Sequence, residues 1–100
     1  MSTAALQIPR QRIVDFCREH GIRSLRLFGS VLRDDFRPDS DVDVLVEFEP
    51  GTTVGLITFA ALELELGGII GRKVDLRTPN DLSRYFRQQV LDSATVLYAT

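Results

Sequence analysis

Apolar residues recur along this chain in two periods, and the switches between the periods mark its elements. Residues 9 to 20 open with Pro9, set Ile13, Val14, Phe16 and Cys17 on one broad face and stop at His20-Gly21, the pattern of a helix with an N-terminal Pro and a C-terminal Gly. Ser24 to Phe28 alternates Leu25 and Leu27 with Arg26 and Phe28, which predicts a short strand before the break at Gly29-Ser30. Val31 to Phe36 has room for one or two helical turns, and Arg37-Pro38-Asp39-Ser40 reads as a loop because a residue before proline is pushed out of the α region. Val42 to Phe48 follows as the best strand in the sequence, with Val42, Val44, Val46 and Phe48 on one face and Asp43, Leu45 and Glu47 on the other.

Pro50-Gly51 closes that strand, and Gly55 to Leu66 reads as a helix that Gly67-Gly68 and Gly71 end. Its surface is almost continuously apolar, broken by Glu63 and Glu65, so it is either sandwiched by the fold or exposed to a partner protein; core is the default, docking the second choice. Lys73 to Leu76 predicts a third strand, Asn80 to Leu91 a final helix with Leu82, Tyr85, Phe86 and Val90 inward, and Thr95 to Tyr98 an edge strand. With no repeat, low-complexity tract or linker, residues 1–100 are expected to form a single domain of α/β (α+β) class, a small mixed sheet flanked by helices.

Composition narrows the function classes. The 100 residues, 44% hydrophobic and 26% charged, fit an ordinary globular domain with one modest core. A net charge of −2 lacks the basic footprint of a protein that wraps nucleic acid, so no direct nucleic-acid ligand is expected. Eleven of the twelve Lys and Arg residues are Arg, whose planar fork suits phosphate and carboxylate. Cys17, alone among apolar neighbours, reads as core packing and suits a reducing, cytoplasmic setting. The N-terminus lacks an export signal, and no stretch approaches the roughly 20 apolar residues that span a bilayer, so no membrane role is expected.

The chemistry concentrates between residues 27 and 46. Gly29-Ser30 follows the first strand, and Asp41-Val42-Asp43 opens the second ten residues later. Alternation along a strand puts Asp41 and Asp43 on the same face about 7 Å apart, near enough to share cations. Two such oxyanions need metal, a basic partner or full solvation, and hard carboxylate ligands suit Mg²⁺, which keeps waters and shares substrate phosphates. Gly29 allows close approach of a phosphate to free backbone N–H groups, and the Ser30 hydroxyl adds a donor. Asp75, between Val74 and Leu76, is the natural third metal ligand, in a two-metal scheme where it would help deprotonate an acceptor hydroxyl.

Blander readings exist for each of these residues. Gly29, Ser30, Asp41 and Asp43 also suit a turn and a polar loop with local caps. Asp75 also suits a solvated edge position or a salt bridge with Lys73 or Arg72. Arg33 and Arg37 are as readily solvated as bound to phosphate, and His20 reads as a helix C-terminal residue without a catalytic role.

Gly29-Ser30-x₁₀-Asp41-x-Asp43, with Arg33, the run Arg37-Pro38-Asp39-Ser40, the strand at Asp75 and the ending Tyr98-Ala99, resembles the minimal nucleotidyltransferase (MNT) branch of the polymerase-beta-like superfamily over nearly the whole chain. The resemblance implies a minimal nucleotidyltransferase core in which Gly29, Ser30 and Arg33 bind the nucleotide, while Asp41, Asp43 and Asp75 bind Mg²⁺ and carry catalysis. It implies ATP as substrate and an antitoxin role in a hetero-oligomer with a HEPN-domain toxin, which such proteins inactivate by adenylylating a tyrosine. Two positions depart from the family's pattern: Asp34 stands where relatives often have Gly, and Leu32 where a small residue is common. Both sit in the phosphate-binding turn, where an added carboxylate repels phosphate. The competing function is an antitoxin that neutralises its toxin by binding alone, its metal site idle. A template-directed polymerase or an aminoglycoside-modifying enzyme would need further domains, which this chain is too short to supply.

Overall fold

The computed structural model describes residues 8–28 and 41–100; the Phe86 side chain lies outside that description, as do the helical turns and loop expected over 31–40. The elements run α1 (Arg10–Glu19), β1 (Ile22–Phe28), β2 (Val42–Phe48), α2 (Leu56–Ile70), β3 (Val74–Arg77), a 3₁₀ turn (Pro79–Asp81), α3 (Arg84–Ser93) and β4 (Thr95–Ala99). The four strands form one mixed sheet in the order β3-β2-β1-β4. β1 is antiparallel to both β2 and β4, whereas β2 and β3 run parallel. The expected small α/β fold, a mixed sheet flanked by helices, is therefore present.

β2 lies inside the sheet, and Val42, Val44, Leu45 and Val46 are fully buried. A parallel neighbour cannot be reached by a tight turn, so the chain crosses over through α2 before returning as β3. On one face of the sheet α1 contributes Ile13, Phe16 and Cys17, and α2 contributes Leu62, Leu66 and Ile70, all packed on the inward side chains of β1, β2 and β3. Burial raises the Cys17 thiol pKa to about 12, which leaves it a protonated core side chain, as its neighbours predict. On the second face the described residues form a smaller cluster, Phe28, Leu45, Leu82 and Val90. Far from that cluster's acidic end, the Ser24 hydroxyl and the Arg26 guanidinium both donate to Glu47 Oε1, at 2.8 and 2.9 Å, and pin the β1–β2 register. Arg26 foremost, then Ser24, holds the Glu47 carboxyl below its usual range.

Three expectations change. First, α2 does not stop at Gly67-Gly68 but runs on to Ile70, where Gly71 takes the left-handed conformation (φ 82°). Gly67 serves another purpose inside the helix: a Cβ there would lie 3.0 Å from the Arg72 carbonyl oxygen, so the chain turning into β3 would have to shift by a few tenths of an ångström to admit one. Second, only the stripe Leu62, Leu66, Ile70 of α2 is buried, while Leu56 and Ile57 are 89% and Leu64 78% exposed, so most of the apolar surface assigned to core by default faces outward. Third, the final helix is split. Asp81 accepts from the Thr78 N–H at 3.0 Å and from its hydroxyl at 3.2 Å, closing a 3₁₀ turn; Leu82 is extended, and α3 starts only at Arg84. That break keeps Leu82 and Val90 inward but leaves Tyr85, expected inward, 85% exposed. Among the described residues no helix is long and apolar enough to cross a membrane.

Glu63, which interrupts the apolar surface of α2, covers the outer edge of the sheet: the Leu76 N–H of β3 donates to its Oε2 at 2.7 Å. The bond fixes the edge strand that carries Asp75. Glu63→Ala is expected to cost about 1–2 kcal/mol in urea denaturation, because it strips a charged acceptor from a strand amide, with Glu63→Gln costing less; two variants as stable as the unaltered protein would show that the edge needs no such cover.

Candidate active site

Three strand ends meet at one end of the sheet. Phe28, the last residue of β1, is the register partner of Asp43, and Asp43 is in turn the register partner of Asp75 across the parallel β2–β3 pair. Parallel pairing makes side chains at partner positions project to the same face, and the backbones lie about 4.8 Å apart. Since Val42, Val44, Val74 and Leu76 point into the core beneath α1 and α2, Asp43 and Asp75 point to the second face, both half-buried. The Val42 N–H donates to the Lys73 carbonyl at 2.8 Å and ties the start of β2 to the start of β3. Asp41 lies one residue before β2 and is exposed. Gly29, Ser30 and Arg33, expected to hold the nucleotide, lie outside the described residues, as do Leu32, Asp34 and Arg37. The chain reaches Gly29 directly from Phe28, beside Asp43.

Like charges at partner positions destabilise a sheet by about 0.2–1 kcal/mol, so this pair runs against the fold's own stability. Part of the cost is offset by a residue that the sequence reading missed. Arg77 Nη2 donates to Asp75 Oδ2 at 3.1 Å, with the two side chains 48% and 36% exposed. That hydrogen bond, and next the negative charges of Asp75, Asp81 and Asp43, raise the guanidinium pKa further. The ion pair foreseen for Asp75 thus exists with Arg77 rather than with Lys73 or Arg72. The signal for it was available, because residues two apart on a strand share a face.

The donor set fits a hard divalent cation: the carboxylate oxygens of half-buried Asp43 and Asp75 and of exposed Asp41, at one end of the sheet. The oxygens are not gathered around such an ion as they stand, since Asp75 is turned to Arg77. Among the described residues the group of three ligand-type side chains within 4.8 Å of one another is instead Glu19, His20 and Glu65. That group sits at the opposite end of β1, where His20 caps α1 through its backbone N–H to the Phe16 carbonyl and its Nε2 lies 3.4 Å from Glu65. A cavity of about 370 Å³ between α1 and α2, lined by Arg12, Asp15, Glu19 and Glu65 among others, also lies on the face away from Asp43 and Asp75.

Residues 10–97 match the profile of the nucleotidyltransferase domain family. The chain belongs to that family and is a nucleotidyltransferase. The match takes in the strand ends that carry Asp43 and Asp75. Among similar proteins, a candidate protein adenylyltransferase of Methanocaldococcus jannaschii is 31% identical over 85 residues, which cover 85% of this chain and 89% of that protein. The protein adenylyltransferase MntA of Thermococcus cleftensis is 38% identical over 71 residues, 71% of this chain and 70% of that one. A solved complex of a tri-AMPylated HEPN toxin of Shewanella oneidensis with its MNT antitoxin contains a chain with the same fold, at TM-score 0.64 and 25% identity, covering 91% of this chain and 70% of that one.

If Asp43 and Asp75 share a cation, binding stabilises the folded nucleotidyltransferase by mass action. Millimolar Mg²⁺ is expected to raise the Tm of the unaltered chain and to leave that of Asp43→Asn unchanged in differential scanning calorimetry. An equal rise in both would place the ion elsewhere.

Proposed function

We propose that this nucleotidyltransferase is an antitoxin that transfers AMP from ATP to a tyrosine hydroxyl of a partner HEPN toxin, with Mg²⁺ held by Asp41, Asp43 and Asp75. The observation that carries the reading is the register match of Asp43 with Asp75 beside Phe28, the last residue of β1. Two features of the similar proteins support the finer assignment. One relative is a protein adenylyltransferase, and one structural neighbour sits in complex with an AMPylated HEPN toxin.

The roles of the residues follow from their chemistry. Gly29 and Ser30 would hold phosphates through backbone N–H groups and the hydroxyl, and Arg33 would add a guanidinium to the same anion. Asp41 and Asp43 would hold Mg²⁺, which when bound neutralises charge on the triphosphate and on the departing pyrophosphate. Asp75, a half-buried carboxylate beside Asp43, would accept the proton of the incoming hydroxyl. The acceptor oxygen then forms its bond to the α-phosphorus as the bond to pyrophosphate breaks.

A protein acceptor suits the shape of the site. Asp43 and Asp75 are half-buried and keep part of their surface exposed, so a hydroxyl on another molecule can approach them. Leu56, Ile57 and Leu64 on α2, on the opposite face of the sheet from the two acids, offer apolar surface by which a partner could also be held. The lone, protonated Cys17 suits a reducing, cytoplasmic setting.

Co-expression with a partner HEPN toxin is expected to yield a stable complex in which the toxin carries added AMP mass on tyrosine, read by intact-mass and fragment spectra. The adduct should vanish when Asp41 and Asp43 are both changed to Asn. A complex whose toxin is inactive yet carries no Asp-dependent adduct would instead establish neutralisation by binding alone.

A further inference from the structure

The Arg77–Asp75 contact lies inside the candidate metal site and has a consequence for what that site admits. Arg77 follows Asp75 by two residues on the same face of β3, and its Nη2 donates to Asp75 Oδ2 at 3.1 Å. Its surroundings are acidic on every side that the structure describes: Asp75 by direct contact, Asp81 from the 3₁₀ turn and Asp43 from β2 all act on its charge. Other nearby groups are engaged differently. Asp81 Oδ2 is occupied by the Thr78 N–H and hydroxyl, and Arg87 donates from Nε to the Pro79 carbonyl at 2.8 Å and from Nη2 to the Leu82 carbonyl at 3.3 Å. Those bonds fix the turn that faces the site, and Arg77 is the cation that directly contacts Asp75 among the described residues.

A guanidinium cannot shed its proton at any ordinary pH, so this positive charge is permanent. A bare divalent cation that takes the Asp75 carboxylate must either displace the guanidinium from Oδ2 or bind the other oxygen beside it, and in both cases it sits close to a positive charge with no new anion to offset the repulsion. A metal–nucleotide complex differs, because it brings phosphate oxygens of its own. The planar fork of Arg77 matches a phosphate edge in two parallel hydrogen bonds, so it can leave the carboxylate for the phosphate without losing its charge partner.

We propose that Arg77 acts as an exchangeable counter-ion of this site, holding Asp75 against free divalent cations and releasing it to a metal–nucleoside triphosphate complex whose phosphates accept the guanidinium instead. The proposal rests on the reading of Asp41, Asp43 and Asp75 as the metal site. It makes Arg77 a positioning residue that selects the form in which metal enters.

The two halves of the exchange predict effects of opposite sign. Isothermal titration of the full chain with MgCl₂ alone, and separately with Mg²⁺ plus a non-hydrolysable ATP analogue, is carried out on the unaltered protein, Arg77→Gln and Arg77→Lys. Arg77→Gln should bind free Mg²⁺ about two- to fivefold more tightly, the scale of an exposed ion pair, and bind the metal–nucleotide complex more weakly by at least the same factor. Arg77→Lys, which keeps the charge but not the fork, should restore the weak binding of free Mg²⁺ and only part of the nucleotide affinity. Arg77 is half exposed, so both variants should fold, as a thermal melt will verify. Affinities that move in the same direction, or do not move, overturn the exchange while leaving the site reading intact. Failure of the unaltered protein to bind the metal–nucleotide complex overturns the site reading and this proposal with it.

Discussion

The parallel pairing of β2 with β3 is the constraint on which the rest of the structure depends. A parallel neighbour demands a crossover, and α2 supplies it, bringing Leu62, Leu66 and Ile70 onto the sheet along the way. The same pairing sets Asp43 against Asp75 at partner positions, and a slip of one residue would turn Asp75 into the core and Leu76 outward. Much of the local detail around β3 reads as insurance for that register. Gly67 lets the chain pass close to α2, Gly71 turns it, the Lys73 carbonyl accepts from Val42, and Glu63 caps the free edge at Leu76.

Stability and chemistry pull in opposite directions at this end of the molecule. One face of the sheet carries two helices and a dense apolar core, whereas the other carries a smaller cluster around Leu45 and Phe28. Both carboxylates are half-exposed, and half-exposure is what makes their juxtaposition tolerable before any cation arrives. Arg77 lowers the residual cost without closing the site. At the other end of β1, the Glu47–Arg26–Ser24 group shows the contrasting solution, one carboxylate oxygen accepting from two donors.

The sequence made some of this legible and concealed the rest for physical reasons. β2 was readable residue for residue from its β-branched run, and the spacing of Asp41 and Asp43 from Gly29-Ser30 singled out a candidate site. Strand order was not readable, since nothing local to Val74–Arg77 states which neighbour it takes. The end of α2 was misplaced because a glycine pair inside a helix looks like a stop when its role is close approach to the chain beyond. Tyr85 was placed inward by a 3.6-residue period that the Thr78–Asp81 capping turn resets. Arg77 escaped notice because charge balance was sought among sequence neighbours of the strand's start and not along its face.

The central claim is that the register of β2 and β3 makes one cation site from Asp43 and Asp75. Paramagnetic broadening of backbone amide resonances by substoichiometric Mn²⁺ tests it most directly, since broadening falls steeply with distance from the ion. Amides at 42–44 and 74–76 should broaden together at the lowest Mn²⁺ addition, with Phe28 at the end of β1 close behind, while those at 19–20 and 65 stay sharp. Broadening centred on Glu19, His20 and Glu65, or confined to one of the two strands, would contradict the account.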